Sequence, residues 1–255
     1  ALFTNIHITH FHGFMGITDI SSTVSFIVTV LLFLFIINAV NLTDGIDGLA
    51  ASVGIIASVA FGVFFFLSGD YGYTVMAAAL LGSLLAFLYY NLSQGPKKIF
   101  MGDSGSLVIG FTLAVLAIRF NELVAAGESV LKLKSAPAVS IAVLILPLFD
   151  MIRVAVLRMY AHKSIIIGDK QHIHHMMLRA GLNHRQATLI LSLFNIFIIG
   201  VAFLLDGLGI FLLGLLLLTL CLVATGILSV IVRRKSTPGP KMVKVSEMAE
   251  VTGLN

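Results

Sequence analysis

The sequence predicts an all-α fold: a polytopic transmembrane helical bundle of about seven spans. Three observations predict it. Of the 255 residues, 58% are hydrophobic and 11% charged, whereas a soluble domain carries about 25% charged residues. The mean hydropathy is +1.06. The apolar residues also fall in runs that can cross a hydrocarbon core of about 30 Å, which takes about 20 helical residues. A soluble enzyme, a disordered chain and a nucleic-acid-binding domain are excluded. The net charge of +4 reads first as basic loops on one side of a membrane.

The runs lie at residues 23–40, 49–68, 72–92, 104–118, 137–156, 187–205 and 207–232, separated by polar breaks. The first ends in the polar segment 41–48, and the third ends before the basic segment 93–103. The fourth is short and is expected to end at Arg119, a residue able to snorkel to the interface. The fifth is expected as one continuous span, followed by a basic loop over 157–186. The last two are parted only by Asp206-Gly207, which reads as a tight hairpin. The sequence shows no internal repeat. Residues 1–235 form the transmembrane core, and residues 236–255, with Pro238 and Pro240, a polar cytoplasmic tail. The single cysteine, Cys221, sits in an apolar run and reads as packing, with no disulfide or zinc framework.

Charge sets the orientation. If residues 41–48 face the cytoplasm, so do 93–103, 157–186 and the tail. That side then holds 13 of the 16 Lys and Arg residues, leaving Arg119, Lys132 and Lys134 on the other. Cytoplasmic loops are enriched in bases, so this orientation is the expected one. It places Asp44, Asp47, Asp103, Asp150, Asp169, His172, His174 and His175 on the cytoplasmic face. The helices starting near residues 49, 104 and 187 begin there too. Helix N-termini present free N–H groups and suit phosphate. The face reads as an active site for anionic substrates.

Four constellations carry that reading. In Asn38-Ala-Val-Asn41-Leu-Thr-Asp44-Gly-Ile-Asp47-Gly48, two aspartates stand three apart at the end of a span, where acids are costly unless bound or paired. Gly45 and Gly48 leave room for a ligand near the backbone; the blander reading has Asp47 capping the next helix. The second is Pro96-Lys97-Lys98-Ile99-Phe100-Met101-Gly102-Asp103-Ser104-Gly105-Ser106. Asp103 is placed just before a helix and suits Mg2+, which takes one or two carboxylates plus phosphates and water. Its Gly-Asp-Ser-Gly string is not a serine-protease signature here, since no disulfide-rich extracellular domain surrounds it. In Pro147-Leu-Phe-Asp150-Met-Ile-Arg153, the acid and the base are one helical turn apart and can pair. In His172-Ile-His174-His175, no cysteine is near enough for zinc, and phosphate binding by imidazole N–H groups is the alternative. His7, His10 and His12 fall on the opposite face and read as structural. Asn41 and Asn91 match glycosylation sequons but lie on the cytoplasmic side. Phe100, three residues before Asp103, is able to stack on a base.

These four motifs, in this order over roughly residues 23–205, resemble the polyprenyl-phosphate N-acetylhexosamine-1-phosphate transferases, the WecA/MraY group. The His-x-His-His form is similar to the WecA/TagO branch. The resemblance implies transfer of an N-acetylhexosamine-1-phosphate, most simply GlcNAc-1-phosphate, from a UDP-N-acetyl sugar to undecaprenyl phosphate. UMP is released and a cell-envelope glycan is begun. The place would be the cytoplasmic face of the bacterial inner membrane, with membrane lipid and no nucleic acid as partners and a homodimer left open. The cofactor implied is Mg2+, with Mn2+ as a substitute. By the same resemblance, Asp103 binds the metal, Asp44 and Asp47 shape the catalytic and nucleotide site, and Asn41 and Asn91 are polar contacts there. Phe100 stacks on uracil, while His172, His174, His175 and Arg153 contact phosphates. Whether an aspartate attacks first, giving a covalent intermediate, stays open.

The family's aspartate-rich motif around an Asp-Asp pair has no counterpart here. The resemblance therefore implies about three or four further helices before Ala1, or an incomplete homologue. Ser164-Ile-Ile-Ile also departs from the Ser-Pro of many relatives. A phospho-MurNAc-pentapeptide transferase of the MraY type is the nearest alternative. A secondary transporter is the alternative of another class, but it would place acids near the bilayer midplane.

Overall fold

The computed structural model describes residues 7–10, 20–162 and 171–236. The tail 237–255, His12, Asp169 and residues 163–170 of the basic loop lie outside the described residues. The described chain is helical, with no strand. Its helices are α1 (Ser22–Leu42), α2 (Leu49–Leu67), α3 (Tyr71–Asn91), α4 (Gly102–Ala125), α5 (Ala136–Val143), α6 (Ile145–Tyr160), α7 (Ile173–Arg179), α8 (His184–Leu204) and α9 (Ile210–Ser236). Six are long and apolar enough to cross a membrane, and α5 with α6 makes a seventh if the bent pair is one span. The protein is a multi-pass membrane protein.

Helix α2 returns against α3, and α1 runs beside α4. The second contact is close because position 110 is glycine: a Cβ there would lie 2.8 Å from the Ile37 Cα. Small residues let helices approach where lipid gives no hydrophobic drive for association. Phe61, Phe64 and Phe120 fill the core between α2 and α4, with the Phe64 and Phe120 rings 4.4 Å apart.

Two expectations need correcting. The fourth span does not end at Arg119. Helix α4 runs on to Ala125, because Arg119 has a partner within the fold. Its Nε donates to Asp70 Oδ2 at 2.8 Å, and its guanidinium lies 5.4 Å from the Tyr73 ring centroid. The charge is matched at the start of α3, so the helix need not stop to release it.

The fifth span is not continuous. It breaks at Leu144 and bends by 84°. Pro147 explains the position, because proline has no N–H and its ring clashes with the carbonyl four residues earlier, here that of Val143. By breaking there, the chain moves Pro147 into the first turn of α6, where a missing N–H costs nothing. The Val143 carbonyl accepts instead from Asn195 Nδ2 of α8 at 3.3 Å. Asn195 is fully buried, so this bond satisfies a backbone group that has no water to turn to.

Side-chain bonds define two faces. At one, Lys98 and His184 meet Asp47, and Lys235 Nζ donates to the Ala180 carbonyl. At the other, Arg119 meets Asp70, and Thr9 bonds to Glu122. Asp206 binds the N–H groups of Lys134 and Ser135 there, at 2.7 Å each. The expected tight connection at Asp206-Gly207 is present as a short 3-10 turn. Thr9 lies with the second group, so residues 7–10 sit opposite the acids, as the sequence predicts.

Candidate active site

The first face gathers the end of α1, the start of α2, the segment 92–101, the first turn of α4, α7 and the start of α8. All four sequence motifs contribute.

Thr43 caps the C-terminus of α1, and the loop 43–48 turns into α2 through Gly48 at φ +80°. That left-handed conformation favours glycine. Asp47 does not cap α2. Its Oδ2 accepts from Lys98 Nζ at 2.7 Å and lies 3.1 Å from His184 Nδ1. The Gly48 N–H donates to Asn91 Oδ1 at 2.7 Å, while Asn91 Nδ2 donates to the Ile99 carbonyl at 2.9 Å. Asn91 is therefore a buried splint between two site loops. Asn41 Nδ2 donates to Ser106 Oγ at 2.7 Å, tying the end of α1 to the first turns of α4.

Asp103 lies in the first turn of α4, not ahead of it, and is exposed. Asp44 also reaches solvent, but the surrounding structure strips away part of its water. Asp103 and then Asp47 add negative charge, and together these effects push its carboxyl up to about 6. Asp47 goes the other way. Partial burial opposes its charge, but the bonds from Lys98 and His184 outweigh that and hold it below the usual carboxylate range. Phe100 is 76% exposed, with Lys98 Nζ 5.2 Å from its ring centroid.

The histidine motif opens α7. Asp150 of α6 anchors it: Oδ2 lies 3.0 Å from His172 Nδ1, and both oxygens accept from the Ile173 N–H, at 3.1 and 3.2 Å. The expected Asp150–Arg153 pair is present at 3.3 Å. Arg153 also donates to the Gln171 carbonyl and to Met176 Sδ. The His172 and His174 rings are parallel, 5.7 Å apart, and the His175 ring is 4.3 Å from His174. His172 and His174 are buried, whereas His175 is half-buried. Burial, reinforced by the charge of His175, pushes His174 down to about 4, so it is neutral at neutral pH.

The room beside Gly45 is not left for a ligand. His174 fills it: a Cβ at position 45 would fall 2.7 Å from His174 Cε1 and closer still to Nε2. The ring cannot swing aside, since it is 3% exposed and lies between two other imidazoles. Gly45→Ala is expected to cost about 1–3 kcal/mol by overpacking. Displacing α7 from the aspartate loop should also lower turnover by on the order of 10²-fold. Thermal unfolding and a turnover assay on the same sample check both; wild-type values in each would mean that His174 does not seat on Gly45.

The structure thus brings the predicted residues to one face but divides them. Asp44, Asp103 and Phe100 are exposed, and His175 is half-buried with its ring against His174. Asp47, Asn41, Asn91, Arg153, His172 and His174 are bonded or packed within the protein. Lys98, His184, Ser106 and Thr188 join the site without having been singled out by the sequence. Lys98 and Ser106 had a signal, as parts of one quoted motif.

Among the described residues no three His, Cys, Asp or Glu side chains form a metal cluster. Mg2+ does not require one, since substrate phosphate and water complete its shell. Asp103 and Asp44, whose carboxyl the charge of Asp103 helps to push up, make a donor set of the right kind.

Fold and site together define a multi-pass membrane protein that gathers acidic and histidine side chains at one face. Residues 1–121 match the model of glycosyl transferase family 4. A decaprenyl-phosphate N-acetylglucosaminephosphotransferase of Mycobacterium leprae is 33% identical over 193 residues, 71% of this chain and 48% of the relative. The Mycobacterium tuberculosis H37Rv protein of that name is 34% identical over 193 residues, 71% of this chain and 47% of the relative. An undecaprenyl-phosphate alpha-N-acetylglucosaminyl 1-phosphate transferase of Escherichia coli K12 is 30% identical over 152 residues, 59% of this chain and 40% of the relative. The chain spans about half the length of the curated relatives it matches. Over these residues the chain is similar to polyprenyl-phosphate N-acetylglucosamine-1-phosphate transferases.

Proposed function

We propose that the protein transfers GlcNAc-1-phosphate from UDP-GlcNAc to undecaprenyl phosphate at the cytoplasmic face, releasing UMP. One observation carries this reading: four separate motifs converge on a single face as an acidic, histidine-bearing surface beside an exposed aromatic ring. The names of the relatives support the lipid acceptor and the sugar.

The reaction brings a lipid phosphate and a nucleotide pyrophosphate together. An oxygen of the lipid phosphate attacks the sugar-linked phosphorus in line. The bond to the UMP phosphate breaks, and UMP leaves with the charge. Catalysis of such a step is mainly positioning and charge neutralisation. Asp103 with Asp44 would hold Mg2+, or Mn2+ in its place; the ion supplies charge neutralisation for the pyrophosphate. Phe100 offers its face to uracil. His175, the half-buried histidine of the motif, offers ring N–H groups to phosphate. His172 and His174 act at one remove, holding α7 against Asp150 and Gly45. An apolar cavity of about 320 Å³ at the α5–α6 elbow, lined by Leu32, Ile36, Leu144 and Leu148 and, from the opposite face, by Ile8 and His10, is a place for part of the lipid chain. Cavities of this size and character suit apolar ligands.

The test is UMP release by the full-length protein with undecaprenyl phosphate and Mg2+. UMP from UDP-GlcNAc is the expected result. Release only from UDP-MurNAc-pentapeptide would reassign the donor, and no UMP from either would end the transferase reading.

A further inference from the structure

Asp44 and Asp47 stand three residues apart on one loop but are held in opposite ways. The Asp44 carboxylate takes no hydrogen bond among the described residues. Asp47 is gripped from two sides, by Lys98 of the segment between α3 and α4 and by His184, the first residue of α8. One turn along α8, Thr188 Oγ1 donates to the Asp47 carbonyl at 2.8 Å. Residue 48 is fixed in turn by Asn91. Three separate parts of the chain therefore converge on the two-residue stretch Asp47-Gly48, which begins three residues after Asp44. The His184 and Lys98 side chains are 47% and 28% exposed. Solvent-reachable pairs contribute little stability when isolated. Here Lys98 and His184 share one carboxylate across three chain segments, so their effect is on geometry.

We propose that His184 and Lys98 are positioning residues that act through Asp47 to hold the aspartate loop, and with it Asp44, in register with Asp103. The catalytic part of this inference rests on the transferase reading; the structural part does not. His184 Nδ1 lies within hydrogen-bonding distance of both Asp47 Oδ2, at 3.1 Å, and the Asp47 N–H, at 3.5 Å. An asparagine at 184 can place its amide N–H near the same point, but a leucine cannot.

The experiment uses the full-length protein and two readouts: steady-state UMP release, and hydrogen exchange of the peptide covering residues 41–48. His184→Leu is expected to lower kcat about tenfold, to leave KM for UDP-GlcNAc within about twofold, and to speed exchange in the loop. His184→Asn should restore both readouts. In an Asp47→Asn background, the additional effect of His184→Leu should shrink to about twofold or less, because groups that act as a unit are not additive. Lys98→Met should behave like His184→Leu. Unchanged kcat and unchanged exchange in His184→Leu would overturn the proposal. So would a full penalty persisting in the Asp47→Asn background, which would mean direct contact with substrate. If the wild-type protein releases no UMP, the transferase reading fails, and loop exchange alone decides whether the clamp exists.

Discussion

Asp103→Asn is expected to lower UMP release by on the order of 10²–10³-fold, the usual scale for removing one charged group from a site that works by electrostatic stabilisation. The fold should survive. The side chain is exposed in the first turn of α4, where its only structural contribution is an interaction with the helix dipole, worth less than about 1 kcal/mol. Removing it also relieves the repulsion that raises the Asp44 pKa. Stability of the metal-free variant should therefore match wild type closely. Mg2+ gives a second readout, because an ion bound only to the folded state raises the thermal midpoint by mass action. That rise should be present in wild type and lost in Asp103→Asn. A variant with normal UMP release, or one still stabilised by Mg2+ to the wild-type extent, would remove Asp103 from the metal site.

The parts of this molecule that charge dictates were legible in its sequence. Bases concentrate on one side of a bilayer, and acids near a span must be bound or paired, so the common face of Asp44, Asp103 and His175 follows from composition and order alone. The hairpin at Asp206-Gly207 was legible for the same reason. What could not be read were features that depend on a partner distant in the chain. Arg119 looked like a helix end because Asp70, 49 residues earlier, is invisible to any local pattern. The elbow at Leu144 needed Asn195 to receive the freed Val143 carbonyl, and without that partner a break inside a membrane is unfavourable. Pro147 was the one local hint. His184 has no motif character; its role comes from where α8 begins relative to Asp47, 137 residues away.

The same distinction explains why motif residues divide into two kinds. A motif records which side chains are required, not whether they meet a ligand or each other. Asn91 and Asn41 read as polar contacts for a substrate, yet their amides join loop to loop and helix to helix. A site that holds polyanions at a membrane surface needs its outward acids and rings fixed by inward polar bonds. Both layers then appear in one motif, because both lie on the same short stretch of chain.

Asp150 is where the inward layer is most concentrated, and its loss should have the largest effect on stability. Its side chain is 9% exposed, and it receives His172 Nδ1, the Ile173 N–H and Arg153 Nη1. Asp150→Ala leaves the Arg153 guanidinium, itself 13% exposed, without its anion. It also leaves the first N–H of α7 without an acceptor. Removing one partner of a buried pair costs about 3–5 kcal/mol. The Gln171 carbonyl still accepts from Arg153, which favours the lower end of that range. Such a loss corresponds to a fall in Tm on the order of 10 °C. Turnover should fall as well, since α7 loses the anchor that seats His174 on Gly45 and sets the half-buried His175. Asp150→Asn separates the two effects. Its carbonyl can still accept from Ile173, so α7 keeps its start, but no anion faces Arg153 and His172. The asparagine variant should therefore unfold between alanine and wild type. Equal Tm for all three proteins in thermal unfolding would show that Asp150 bears none of the stability assigned to it here. A fully active asparagine variant would show that the charge on Asp150, as distinct from its hydrogen bonds, does not set the histidines.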